Sequence, residues 1–349
     1  MKAVIRYNFK KKKIKIFDVS DPKLLAGENK AIVRVHAVGV CGSDIENFNK
    51  NHLKNETPYI LGHEFSGYIH ELPKKYNGKF KINDRVTCET VHSVCNECEL
   101  CKNGLYNLCL KRKMIGGSTM NGAYSKYVKV PLNYVHKIKK NISLDDAAII
   151  EPMCVAYNVV VNNSKIKKNS FVVVFGGSTI AIMCAKIINY LGGKVILVCT
   201  KKDLKLISKL KYTQFKKVLV FSSNIEEKIK KITKNKGVYS IIDTVGGVKE
   251  TFEKSIMLIN PGGRITKVGW FIHRNGFDLD RLIKKNITLQ GSFSHNFPIW
   301  EKCIKLLSSN KIKINDIITH KLPLSKWKDA FHLAINRKSI KILLEPIND

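Results

Sequence analysis

Cys95, Cys98, Cys101 and Cys109 are separated by two, two and seven residues in a polar, loop-like stretch. At this spacing four thiolates can close a tetrahedral zinc site, the metal replacing the core that a loop lacks. An iron–sulfur cluster is the nearest rival, but the bacterial ferredoxin run has a shorter last gap and a following proline, whereas Leu110 follows here. A second set of ligating residue types is dispersed: Cys41 in Cys41-Gly42-Ser43-Asp44, His63 and Glu64 in Gly62-His63-Glu64-Phe65, and Glu151 in Glu151-Pro152. Cysteine, histidine and carboxylate as three protein ligands, with water in an open fourth position, make a catalytic rather than a structural zinc site. Taken singly, each fragment is more often core than ligand, and Glu151-Pro152 is also explained by the charge and proline preferences of a helix start.

Something must position these residues, and 349 residues are enough for two domains at roughly 100–200 residues each. The formal net charge of +33 does not make this a nucleic-acid binder. Lysine outnumbers arginine 53 to 8 and is spread along the whole chain, whereas phosphate readers cluster arginine's planar fork on one face. The run Lys10 to Lys13 reads as the solvated turn of an N-terminal hairpin. No apolar stretch has the length of a membrane span or the make-up of a signal peptide, so a cytoplasmic protein with no membrane partner is expected. In a reducing compartment ten cysteines read as metal ligands plus buried thiols, with Cys154, Cys184, Cys199 and Cys303 as core filler.

The texture changes near residue 155. Before it, short alternating runs broken by turn residues at 31–38, 65–72, 85–90 and 123–130 predict a β-rich, partly barrel-like domain. After it, strand and helix patterns alternate. A buried strand at 171–175, an apolar helix at 180–191 and a strand at 194–199 are followed by like segments to 268, which predicts a doubly wound parallel sheet of Rossmann type. The expected division is therefore 1–155 with 295–349 for the zinc-binding catalytic domain and 156–294 for the cofactor domain.

The order of these pieces, Cys-Gly-Ser-Asp, Gly-His-Glu, the four-cysteine run, Glu-Pro and then a Rossmann unit, resembles the zinc-containing medium-chain alcohol dehydrogenase family over essentially the whole chain. Gly62 to Gly67, Ile242 to Gly246 and Gly262-Gly263-Arg264 also look like family landmarks. Cys41-Gly42-Ser43-Asp44 and Glu151-Pro152 are closer to its sorbitol, threonine and polyol branch, and Cys41 to Glu46 also resembles the aminocyclitol dehydrogenases of antibiotic biosynthesis. The resemblance implies a GroES-like catalytic domain, two zinc ions per chain, NAD or NADP, and a homodimer or homotetramer acting on a small alcohol or polyol. It further implies a catalytic zinc on Cys41 and His63, completed by Glu64 or Glu151, that lowers the pKa of a substrate hydroxyl before hydride passes to nicotinamide. Ser43 would then be the first proton contact and Asp44 would steady the ligand histidine. Asn47, Asn49 and His52 could bond further hydroxyls of a polyol.

The chain also departs from that pattern. Glu46 stands where the classical proton relay has a histidine. The phosphate turn after the 171–175 strand reads Gly176-Gly177-Ser178-Thr179-Ile180-Ala181, with Ser178 where backbone alone should approach pyrophosphate. Thr200 replaces the acid that would grip the ribose, and Lys201 and Lys202 follow it, which suits a 2′-phosphate. Val268, closing the 264–268 run, completes the cofactor-facing candidates. These departures predict weaker dinucleotide binding tilted towards NADP(H), and leave a zinc-containing but catalytically weak scaffold as the alternative to a working dehydrogenase.

Overall fold

The computed structural model describes residues 1–8, 13–49, 58–117, 120–211, 213–270 and 279–346. Contacts divide the chain into two units. The first is Met1–Glu151 with Asn296–Asn310 and Ile318–Asp349, and the second is Pro152–His295 with Lys311–Ile317.

In the first unit the apolar alternation of Lys30–Gly39 builds a central strand whose Ala31, Val33, Val35 and Val38 enter the core with Phe65, Ile69, Val86 and Phe331. It pairs antiparallel with Glu64–Glu71 along one edge. Along the other edge its first half pairs with Tyr127–Pro131 and its last residues pair with Lys341–Glu345. The seven-stranded sheet continues outwards through Arg85–Cys88 and Val135–Lys137 on one side and Ile318–Pro323 on the other. A smaller sheet joins Lys13–Asp18, Lys2–Asn8 and Tyr59–Ile60. The first two of these pair antiparallel as the expected hairpin, whose turn at 9–12 lies outside the described residues. One register matters for chemistry: Gly39 stands opposite both Glu64 and Leu343. Cys41, just past the end of the central strand, is thereby delivered beside His63 and Glu64.

The second unit is a six-stranded, wholly parallel sheet in the order Lys217–Val220, Lys194–Cys199, Phe171–Phe175, Val238–Asp243, Ile259–Lys267, Thr288–Gly291. Its central strands read as near-continuous apolar runs because helices cover both faces of such sheets. The helix Thr179–Tyr190 begins at Ser178 as N-cap, and the following helix runs Lys201–Ile207 with Thr200 as its cap. Cys154, Cys184, Cys199 and Cys303 are all buried, as expected of core thiols. Among the described residues no helix is long and apolar enough to cross a membrane.

Candidate metal centres and dinucleotide turn

Cys41, His63 and Glu64 come together with their ligating atoms all within 4.8 Å of one another. Glu151 lies outside that set, although its charge acts on His63 and on Lys341. His63 and Glu64 are buried, and Cys41 is half-buried. Burial and the Glu64 charge push the Cys41 thiol up. Burial alone would depress His63, but the negative charges of Cys41 and Asp44 outweigh it and hold the imidazole well above its ordinary value. A thiol, an imidazole and a carboxylate brought to one place offer sulfur, nitrogen and oxygen donors that together suit zinc.

Asp44 sits in the first turn of the helix Gly42–Asn49, where its Oδ2 accepts from the Cys41 N–H at 3.2 Å and from the Tyr124 hydroxyl at 2.8 Å. Its Oδ1 stands 3.8 Å from His63 Nδ1, an ion-pair rather than a hydrogen-bond separation. Ser43 is half-buried in the same turn. The side chains of Asn47 and Asn49, and His52 entirely, lie outside the described residues.

Sequence reading missed two members of this assembly. Lys341 is 3% exposed and donates to Glu64 Oε2 at 2.6 Å and to the Val40 carbonyl at 3.0 Å. Burial alone would lower its pKa, but Glu64 and Cys41 more than compensate and raise it. The available signal was a lysine opening the apolar run Ile342-Leu343-Leu344. Tyr124 is fully buried with its hydroxyl on Asp44. Tyr124→Phe should leave Asp44 one donor short and cost about 1–2 kcal/mol in chemical denaturation. A loss below about 0.3 kcal/mol would show that this hydroxyl carries no net weight.

The four cysteines of the loop also converge, with their sulfurs within 4.8 Å of one another. Cys95 Sγ is 3.5 Å from Cys109 and 3.8 Å from Cys101, and hydrogen bonds from the Cys98 and Glu97 N–H groups draw its thiol down to about 6. Apart from Asn107 and Cys109, residues 95–112 are not buried, and Leu105, Leu108 and Leu110 face solvent. The lobe therefore has almost no core of its own. Its main tether is Tyr106, which donates to buried Glu89 at 2.7 Å, and Glu89 in turn meets His136 at 3.2 Å.

In the second unit the phosphate turn leaves the Phe171–Phe175 strand at Gly176, whose φ of +119° only glycine adopts readily. Ser178 is exposed with an extended backbone, and its side chain makes no cap bond to the helix. The leading N–H groups of this helix are the kind of terminus that attracts pyrophosphate. Ile180 and Val268 are half-buried, while Thr200, Lys201 and Lys202 are exposed. The carboxylate beside the turn belongs to a residue that sequence reading passed over, Asp203. The signal for it was the capping-box pattern of a threonine followed three residues later by an acid.

A β-rich unit carrying two clusters of metal-ligating side chains, together with a Rossmann sheet, defines a dinucleotide-linked oxidoreductase class. Residues 27–140 match the alcohol dehydrogenase GroES-like domain, and residues 178–309 match the zinc-binding dehydrogenase family. The chain is 31% identical to a sorbitol dehydrogenase of Halalkalibacterium halodurans over 329 residues, 94% of each protein. It is also 31% identical to D-arabitol-phosphate dehydrogenase of Enterococcus avium, covering 94% of this chain and 92% of that one. Galactitol-1-phosphate dehydrogenase from Escherichia coli shares the fold with a TM-score of 0.86 at 23% identity, over 99% of this chain and 100% of the other. The chain belongs to the zinc-binding, medium-chain alcohol dehydrogenase family, in its polyol dehydrogenase branch, and is an enzyme of that class.

Proposed function

We propose that the protein interconverts a secondary alcohol of a polyol and the corresponding ketone, using a nicotinamide dinucleotide and two zinc ions per chain. One zinc is held by Cys41, His63 and Glu64, with Glu151 as the alternative carboxylate, and the other by Cys95, Cys98, Cys101 and Cys109. The observation that carries this reading is the convergence of Cys41, His63 and Glu64, whose ligating atoms lie within 4.8 Å of one another. A zinc ion in such a site supplies Lewis acidity that lowers the pKa of an alcohol.

The chain's own residues do the remaining work. Cys41, His63 and Glu64 fix the position of the cation, Tyr124 and the Cys41 N–H hold Asp44 near His63, and Lys341 restrains Glu64. Ser43, two residues after Cys41 in the first turn of the helix Gly42–Asn49, takes the substrate proton. Glu46 cannot repeat the histidine relay of the family, so the proton leaves by another path. The turn from Gly176 to Ala181 and the end of the Lys194–Cys199 strand receive the dinucleotide. Ten free cysteines fit a reducing, cytoplasmic setting. The strand Thr288–Gly291, at the edge of its sheet among the described residues and with Leu289 exposed on it, supports self-association into a dimer or larger oligomer.

The substrate class follows the named relatives, a sorbitol and an arabitol-phosphate dehydrogenase. The aminocyclitol suggested by residues 41–46 gains no support from them. The test is metal analysis joined to a screen of polyols, polyol phosphates, aminocyclitols and primary alcohols with both dinucleotides. Polyols or their phosphates should be turned over best, by about tenfold or more in kcat/KM, a difference worth about 1.4 kcal/mol. Faster turnover of simple primary alcohols would overturn the substrate assignment.

A further inference from the structure

We propose that Asp203 is the acid that reads the adenosine ribose in this protein, and that it selects NAD(H) over NADP(H). The proposal rests on the reading of the turn from Gly176 to Ala181 as the dinucleotide site. In a doubly wound sheet the ribose 2′-hydroxyl is held by an acid at the end of the second strand. Here that position is Thr200, which has no carboxylate.

The local fold supplies one from further along the chain. The Lys194–Cys199 strand passes directly into the helix Lys201–Ile207, and the capping box turns the side chain of the third helical residue back towards the cap. Asp203 Oδ2 accepts from the Thr200 N–H at 3.1 Å and from the Thr200 hydroxyl at 2.7 Å. A carboxylate thus stands at the end of the second strand although the residue that owns it lies three positions later.

The same side chain covers the phosphate turn. A Cβ built on Gly177 would fall 2.5 Å from Asp203 Cβ, 2.6 Å from Cγ and 2.8 Å from Oδ2. Glycine at 177 is therefore required by Asp203 itself. The carboxylate lies between the strand end and the turn, beside the path of a ribose whose pyrophosphate rests at the N-terminus of the helix Thr179–Tyr190. A ribose diol can donate to a carboxylate there. A 2′-phosphate would instead bring roughly two further negative charges against it at neutral pH. Lys201 and Lys202 could offset this, but both are exposed, whereas Asp203 is 7% exposed. Solvent and salt screen the lysines more than the buried acid. The acid therefore outweighs the lysine pair, reversing the preference that the lysines alone suggest.

Fluorescence titration of NADH and NADPH tests this on the full-length protein, using the ratio of the two Kd values measured for each variant. The wild type should bind NADH about tenfold or more tightly than NADPH, and Asp203→Asn should bring the ratio close to one. Thr200→Val removes the cap hydroxyl but keeps the carboxylate, so it should retain the preference for NADH. A general loosening of the helix affects both dinucleotides and cancels in the ratio. A wild type that prefers NADPH, or a ratio unmoved by Asp203→Asn, overturns the assignment. Should the asparagine variant fail to fold, a preference for NADPH in the wild type or in Thr200→Val overturns it equally. If the wild type binds neither dinucleotide, the reading of the turn as a cofactor site fails, and this proposal falls with it.

Discussion

His63→Ala is expected to reduce turnover by about a thousandfold or more while the protein remains folded and keeps one of the two zinc ions proposed for the chain. The physical basis is the charge balance of the cluster. His63 is the one neutral-capable donor in the set with Cys41 and Glu64, and its ring is held by the charges of Cys41 and Asp44 around it. Alanine leaves two anionic donors, too few to close a site that needs three protein ligands and an open position. Lewis-acid stabilisation worth several kcal/mol is then lost, which is the stated thousandfold at roughly 1.4 kcal/mol per factor of ten. The fold should survive because His63 closes no part of the main hydrophobic core, which is built from residues such as Val35, Phe65 and Tyr124. Metal analysis gives the decisive comparison: two zinc ions per chain in the wild type and one in the variant. A wild type that is fully active with one zinc per chain would refute the catalytic assignment.

Cys101→Ser should act on stability instead. The lobe between Cys95 and Cys109 buries almost nothing of its own and presents Leu105, Leu108 and Leu110 to solvent, so the proposed zinc would supply what packing does not. Loss of one thiolate is expected to release the zinc and destabilise the protein by about 4–5 kcal/mol, the range in which loss of a metal belongs. For a unit of this size that is a fall in Tm on the order of 10 °C or more. Limited proteolysis should then cut within residues 95–112 first, because Tyr106 on Glu89 is the main remaining tether. Chelation of the wild type should reproduce the same pattern. A native protein with four freely reactive thiols and an unchanged Tm after chelation would show that the site is not metal-dependent.

Much of this could be read from the chain. The four-cysteine run is local, so its spacing alone implied convergence, and the sulfurs do converge. The two halves of the fold were legible because period-two alternation and strand–helix alternation are local patterns. The order of the Rossmann strands and the strand pairs around Lys30–Gly39 were not legible, since register depends on partners remote in sequence. The same limit hid Asp203 from the sequence reading of the dinucleotide turn. Lys201 and Lys202 are conspicuous in the sequence, but only the capped helix turns Asp203 onto Gly177.

The sequence by itself determined which residue types were available for chemistry, a local cysteine site and a dispersed set of candidates in Cys41, His63, Glu64 and Glu151, and the succession of a β-rich and a doubly wound domain. Tertiary structure alone decided that Glu64 rather than Glu151 joins Cys41 and His63 within ligating distance, and that Lys341, 277 residues from Glu64, meets it at 2.6 Å. The reason is that a side chain's neighbours across a sheet are set by register and burial. A lysine at the head of an apolar run is ordinarily solvated; this one is buried against Glu64 because the strands of both residues pair with Lys30–Gly39, one on each side, at the level of Gly39.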